Sequence, residues 1–379
     1  MELLNFGPKK LGFGCMRLPM SEGTVGGEGV VDTRQVCAMV DAFLEQGFCY
    51  FDTAHGYIAQ KSEPTVRQCL VERHPRDRYL LTDKLSGTFF QTEEEIRPFF
   101  ESQLEITGAG YFDFYLMHAL NANQYQKFTE CNAFQVAQQL KNEGKIRHVG
   151  ISFHDTPEVL EQILSEHPEI EVVQIQFNYA DLEDPKVQSL AVYEVCRRHG
   201  KPVIVMEPVK GGALANLPEA AGQILDRLQG GSRASYAIRF AASFEGVAMV
   251  LSGMSSLEQM QDNLSYMSSF QPLTQPEQEA VRRAGAVLKN QEAIACTACR
   301  YCEAGCPMRI PIPDLFAGFN GKKQGSGSTF DYETAVSDGH GRASSCIGCL
   351  QCETVCPQHL PVSALLAQVA GEFEAAHEA

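Results

Sequence analysis

The sequence predicts an α/β fold, a closed (β/α)8 barrel followed by a small cysteine-bearing module. Two observations carry that reading. Between residues 11 and 270, eight short apolar runs alternate with amphipathic stretches, the pattern of strand-helix units laid on a parallel sheet. Beyond residue 290, eight of the 14 cysteines fall into two copies of CxxCxxCxxxCP. The predicted boundaries are 1–272 for the barrel, 273–290 for a connecting helix and 291–379 for the module.

The strand candidates are 11–15, 47–52, 79–84, 112–118, 148–152, 172–176, 202–206 and 248–252. Helix signals lie between them. Asp32 or Thr33 opens a helix that puts Val36, Met39, Val40, Phe43 and Leu44 on one face and stops at Gly47. Thr92 with Glu95 reads as a capping box ahead of Ile96, Phe99, Phe100 and Leu104. Thr156 and Pro157 read as an N-cap and first-turn proline before Val159, Leu160, Ile163 and Leu164. Eight such units match the size of a closed barrel. A doubly wound open sheet is the alternative, but no GxGxxG follows the first run. Thr274 and Glu277 open the connecting helix, which runs to about Lys289. Residues 318–329, GFNGKKQGSGST, read as a mobile loop, and 363–377 as a terminal helix.

The 379 residues are 44% hydrophobic, with 31 Lys and Arg against 47 Asp and Glu, a net charge of -16. From residue 290 onward the count is 5 basic against 10 acidic, so both parts are acidic and nucleic acid is excluded as a natural partner. Residues 1–10 hold no signal-peptide run, and no window approaches the 18 apolar residues of a membrane span. Cys15, Cys37, Cys49, Cys69, Cys131 and Cys196 are scattered singly in apolar contexts, as reduced core thiols are. A cytoplasmic location follows from that usage.

The cysteine runs read Cys296, Cys299, Cys302, Cys306, Pro307 and Cys346, Cys349, Cys352, Cys356, Pro357. A zinc ribbon wants paired CxxC units and a disulfide framework no such regularity. The motif resembles the ligand run of a bacterial-type two-cluster ferredoxin, an α+β fold, and the resemblance implies two 4Fe-4S clusters with crossed ligation. One cluster would then take Cys296, Cys299, Cys302 and Cys356, the other Cys346, Cys349, Cys352 and Cys306.

Reaction chemistry on such barrels gathers at the C-terminal ends of the strands. Strand two ends in FDTAHGY, with Asp52 and Tyr57; strand three delivers Lys84, and strand four His118. Singly each has a bland reading: a buried aromatic, an ion pair, a structural histidine. Together, at successive strand ends, they resemble the catalytic tetrad of the aldo-keto reductase family, TIM barrels, over residues 10–270. The resemblance implies Tyr57 as general acid, Lys84 lowering its pKa, Asp52 holding Lys84, and His118 orienting the substrate oxygen.

The same resemblance implies NAD(P)(H). Ser152 and Gln174 fall where the family binds the carboxamide, Gly211, Gly212 and Gly253 where barrels bind phosphate, and Asn263 at the adenine-side asparagine. The sequence departs from the pattern at Phe153, which replaces an asparagine, and at Met206, which replaces the stacking aromatic. Gly253 and Gln259 replace the basic residues for a 2'-phosphate. The function implied is an oxidoreductase of anaerobic microbes acting on a carbonyl or enone, its clusters exchanging electrons with a ferredoxin or flavodoxin. The alternatives are a nicotinamide-independent, ferredoxin-driven reductase, a non-catalytic redox or nucleotide sensor, and clusters with a purely structural role.

Overall fold

A computed structural model describes residues 4–21, 29–228, 230–289, 293–323, 330–337 and 339–374. They form two compact units, Met1–Val209 with Leu225–Arg282, and Lys210–Ile224 with Arg283–Ala379.

The first unit is a closed barrel of eight parallel strands in sequence order. They are β1 Leu11–Gly14, β2 Tyr50–Asp52, β3 Leu80–Ser86, β4 Phe112–Leu120, β5 Ile146–Phe153, β6 Val172–Gln176, β7 Val203–Met206 and β8 Val247–Ser252. All eight predicted runs are strands. The largest shift is at β2, where Gly47 takes φ 77 and ends the preceding helix, so pairing starts only at Tyr50. Strands covered on both faces need apolar residues at nearly every position. Tyr50, Phe114, Leu116, Val172, Ile204, Met249 and Leu251 accordingly form one buried cluster inside the barrel, with Phe6 packed against it.

Helix Thr33–Glu45 buries the five residues expected, and the Asp32 carboxylate accepts from the Gln35 N-H at 3.0 Å. At Glu93–Thr107 the predicted capping box is not formed, because Glu95 reaches one residue beyond the N-cap. Glu95 accepts from the Gln91 N-H at 2.6 Å, while Thr92 makes no side-chain cap bond because its hydroxyl is engaged by Glu94. Helix Pro157–Glu166 starts at its proline, as predicted. Helix Gln275–Lys289 starts after Thr274, whose N-H and hydroxyl both donate to Glu277. Cys37 and Cys69 are not isolated from one another: their sulfurs lie 2.7 Å apart between two outer helical segments, a proximity sequence spacing cannot reveal.

The second unit repeats itself with an offset of 50 residues. Helices Tyr301–Ala304 and Ile312–Lys323 recur as Gln351–Thr354 and Val362–Phe373. Left-handed residues recur with them: Arg300 (φ 64) with Leu350 (φ 61), and Arg309 (φ 51) with His359 (φ 49). Ile310, Ile312, Leu315, Phe316, Leu360, Leu366 and Val369 form the shared core.

The predicted loop 318–329 is corrected over its first part, since residues 318–323 complete helix Ile312–Lys323. Gly318 is there for packing, because a Cβ on it would lie 2.2 Å from the Phe330 ring. Asn320 ties the helix down by exchanging two 2.7 Å hydrogen bonds with the backbone of Ile294. Residues 324–329 of that segment, and 375–377 of the predicted terminal helix, lie outside the described residues. Among the described residues no helix is long and apolar enough to cross a membrane.

Candidate active site

Asp52 is the last residue of β2 and pairs with Thr82 of β3; Lys84 lies two residues further along the same strand, and so on the same face. Lys84 is fully buried; its Nζ donates to Asp52 Oδ1 at 2.5 Å and to the Thr53 carbonyl at 2.8 Å. The other carboxylate oxygen, Oδ2, accepts from Gln174 Nε2 on β6 at 3.0 Å. A buried cation thus has its countercharge, and the countercharge has its own donor. The same ammonium sits 4.9 Å from the centre of the Tyr57 ring. Tyr57 stands edge-on to His118, ring centres 5.8 Å apart. All four members of the predicted tetrad therefore meet in one place.

Strain marks the same place. Ile58, Ala59 and Gln60, directly after Tyr57, take φ of 51, 49 and 65, one turn of left-handed backbone. L-residues pay roughly 1–2 kcal/mol each for that conformation, and such strain clusters at functional sites. Ala119, after His118, has φ 55 at the point where β4 slips register against β5. Bulges re-aim side chains.

His118 Nδ1 lies 2.6 Å from the Ser86 hydroxyl. Burial, then the Lys84 cation and His154, hold its imidazole well below the usual range, so it is neutral near pH 7. A neutral imidazole offers a hydrogen bond without adding charge. Sequence reasoning missed Ser86, which lies in register with His118 in the β3–β4 pair. It also missed a buried acid pair behind the site. Asp83 faces away from Lys84, and burial, then Glu63, pushes its carboxyl well above the usual range. Glu63 is gripped by His55 at 2.7 Å and Gln103 at 3.0 Å.

The predicted nucleotide residues divide. Ser152 is buried near the end of β5 and Gln174 in the middle of β6, and Ser152 Oγ accepts from the Ala119 N-H at 3.4 Å. Met206 closes β7. Asn263 is buried with its amide engaged at both ends, by the Ser252 hydroxyl at 2.8 Å and the Tyr266 hydroxyl at 2.5 Å. At Gly253 a Cβ would lie 3.2 Å from the stem of Arg17, whose guanidinium faces Glu207 at 3.6 Å. Arg17, the one basic residue in the turn after β1, puts a cation at a loop where the linear comparison finds glycine. Gly211 and Gly212 belong to the second unit, where a Cβ on Gly211 would fall 2.7 Å from the Thr297 carbonyl oxygen.

In the second unit one cavity is lined by Cys296, Cys299, Cys302 and Cys356, with Ile312, Phe316, Leu360 and Val362 as apolar walls. Burial pushes the Cys302 thiol up, and the thiols of Cys299, Cys296 and Cys356 add to the shift. Cys352 is pushed up to about 11, by burial first, with Cys346 and Cys306 among its neighbours. Each run's fourth cysteine thus sits with the other run. The Ala298 N-H donates to Cys296 Sγ at 3.4 Å and the Ile310 N-H to Cys306 Sγ at 3.5 Å, bonds that stabilise thiolate. A four-sulfur set around an apolar-walled cavity fits an iron-sulfur core.

The family model for the 4Fe-4S dicluster domain matches residues 295–360. No curated protein matches the chain. Solved structures match the barrel. An aldo-keto reductase from Klebsiella pneumoniae in complex with NADPH is 21% identical, with a TM-score of 0.58, covering 72% of this chain and 90% of that one. One from Bacillus halodurans in its holo form is 24% identical at a TM-score of 0.59, covering 73% and 91%. A thermostable aldo-keto reductase in complex with the inhibitor epalrestat is 19% identical at 0.60, covering 75% and 98%. At these identities the likeness speaks for the fold. The aldo/keto reductase family model itself matches residues 10–286 of the 379, so the chain belongs to the aldo/keto reductase family, as an oxidoreductase that also carries an iron-sulfur domain.

Proposed function

We propose that the barrel reduces, or in reverse oxidises, a carbonyl- or enone-type small molecule, with Tyr57 as the acid that delivers the proton. The observation that carries this is the buried Lys84–Asp52 pair, 2.5 Å apart, with the Lys84 cation against the Tyr57 ring. Adding hydride equivalents to a carbonyl builds negative charge on its oxygen, and a phenol of ordinary pKa near 10 is a weak donor at neutral pH. A fixed cation stabilises the phenolate that remains after transfer. Asp52, held by Gln174, keeps that cation in place. His118, kept neutral, donates to the substrate oxygen and orients it.

A nicotinamide dinucleotide, when bound, supplies the hydride. Ser152 and Gln174 would hold its carboxamide, and Arg17, its stem against Gly253, would face its phosphates. Eight cysteines would hold two 4Fe-4S clusters, one by Cys296, Cys299, Cys302 and Cys356, the other by Cys346, Cys349, Cys352 and Cys306. Held there, the clusters would supply single-electron exchange with a redox partner in the cytoplasm of an anaerobic cell. The commitment of Asn263 to Ser252 and Tyr266, with Met206 at the stacking position, favours a second reading in which electrons enter only through the module.

The test is Tyr57→Phe in iron-loaded protein, with NADH and NADPH titrations alongside. Carbonyl turnover falls by at least about 100-fold while melting and nucleotide binding stay unchanged. Full turnover in the variant removes the acid role. Absence of binding for both nucleotides at millimolar concentration selects the second reading.

A further inference from the structure

The two ligand turns share one backbone design but not one environment. At the first, Thr297 is 3% exposed and meets the backbone of Gly211, while Arg300 is tied to Glu303 at 2.7 Å and Asp314 at 2.5 Å. Fifty residues on, the same two positions carry Ile347, 64% exposed, and Leu350, 49% exposed. Cys349 between them is the exposed ligand of the eight. Val355, 39% exposed, lies in the same run. Among the described residues only five large apolar side chains are exposed; two of them sit on this turn and a third, Val355, follows the short helix Gln351–Thr354 that leads out of it past Glu353.

Placing Ile and Leu largely in water at a ligand turn forgoes the burial that would otherwise favour them. The first turn shows that the fold does not require it, since threonine and arginine serve there. Exposed apolar groups gathered in one patch mark an interaction surface, and this patch surrounds a cysteine ligand.

We propose that Ile347, Leu350 and Val355 form the docking surface for a one-electron carrier protein, the first turn being the covered one. This rests on the reading of the module as iron-loaded. In each encounter one electron passes, the carrier being oxidised as the module is reduced or the reverse, with no proton or atom exchanged. Charge selects the carrier. The turn itself holds no charged residue between Cys346 and Cys352, whereas the segment from residue 290 onward carries 5 basic against 10 acidic residues. The matching face is apolar at its centre and basic at its rim.

The experiment uses full-length, iron-loaded protein reduced with dithionite and mixed in stopped flow with a basic c-type cytochrome as acceptor. Ile347→Ser/Leu350→Ser is compared with Val30→Ser, an exposed apolar residue elsewhere. The double variant is expected to lower the second-order rate constant roughly tenfold or more, with iron content and reduction by dithionite unchanged. Raising the salt should slow the unmodified protein and Val30→Ser alike. Equal rates for the double variant and the unmodified protein overturn the proposal, as does self-association through the patch that the double variant abolishes in sedimentation. Failure to load iron in the unmodified protein instead sinks the reading beneath it.

Discussion

Asp52→Asn isolates the interaction on which the site depends. Lys84 is completely buried, and its ammonium has Asp52 at 2.5 Å and the Thr53 carbonyl at 2.8 Å. Removing the carboxylate charge leaves a cation in the interior with a backbone carbonyl for compensation, a loss of about 3–5 kcal/mol for a broken buried pair. For a barrel of this size each kcal/mol is worth roughly 2–4 °C, so melting should fall by about 10 °C. Turnover should fall further than stability explains, by about 100-fold or more at a temperature where the variant is folded, because the Lys84 cation is no longer held in place beside Tyr57. The control is Asp52→Asn/Lys84→Met. With both charges gone and the lysine stem replaced by an apolar chain, most of the stability should return, to within about 1–2 kcal/mol, while activity stays lost. With Lys84→Met alone as the third variant, urea denaturation and carbonyl-reduction kinetics complete a double-mutant cycle. An additive cycle, or a single variant that melts within a degree or two of the parent, refutes the claim that this pair is a buried ionic unit.

Three further outcomes are expected. His118 is held below its ordinary value of 6.5, so the unfolded chain takes up a proton the native one refuses. The contribution is whole above about pH 6.5 and is lost as pH falls from there toward the folded value, at a slope of at most about 1.4 kcal/mol per pH unit; His118→Gln should flatten that decline in urea melts between pH 7 and 5, and parallel curves would contradict it. Gly211→Ala puts a Cβ 2.7 Å from the Thr297 carbonyl at φ 63, so iron-loaded protein should lose roughly half its iron, from the turn bearing Cys296 and Cys299; full iron with an unchanged cluster spectrum would show that the loop yields. Ala59→Gly relieves left-handed backbone at φ 49 and should stabilise by up to about 1 kcal/mol after the added unfolded-state freedom; a lowered melting temperature would show that the alanine methyl packs.

Spacing along the chain carries the barrel and the tetrad for a physical reason. Strands buried on both faces must be apolar throughout, so β6, Val172–Gln176, reads directly from the sequence. In a barrel whose neighbouring strands follow in order, residues at successive strand ends must also meet, which brings Asp52, Lys84 and His118 together. The Gly318 helix was misread because glycine signals a turn unless something fills the missing Cβ, and the Phe330 ring that fills it here is a tertiary neighbour.

By its pattern alone the sequence determined the eight strands, the placing of Asp52, Lys84 and His118 on successive strands and the duplicated cysteine runs, because periodicity, strand order and repeat spacing are properties of one dimension. Only the tertiary structure decided which of two equal ligand turns is covered and which faces water, that Asn263 is held by Ser252 and Tyr266, and that Arg17 stands over Gly253. Those facts depend on which distant residues arrive at a given point, and burial, desolvation and close approach exist only once the chain has folded.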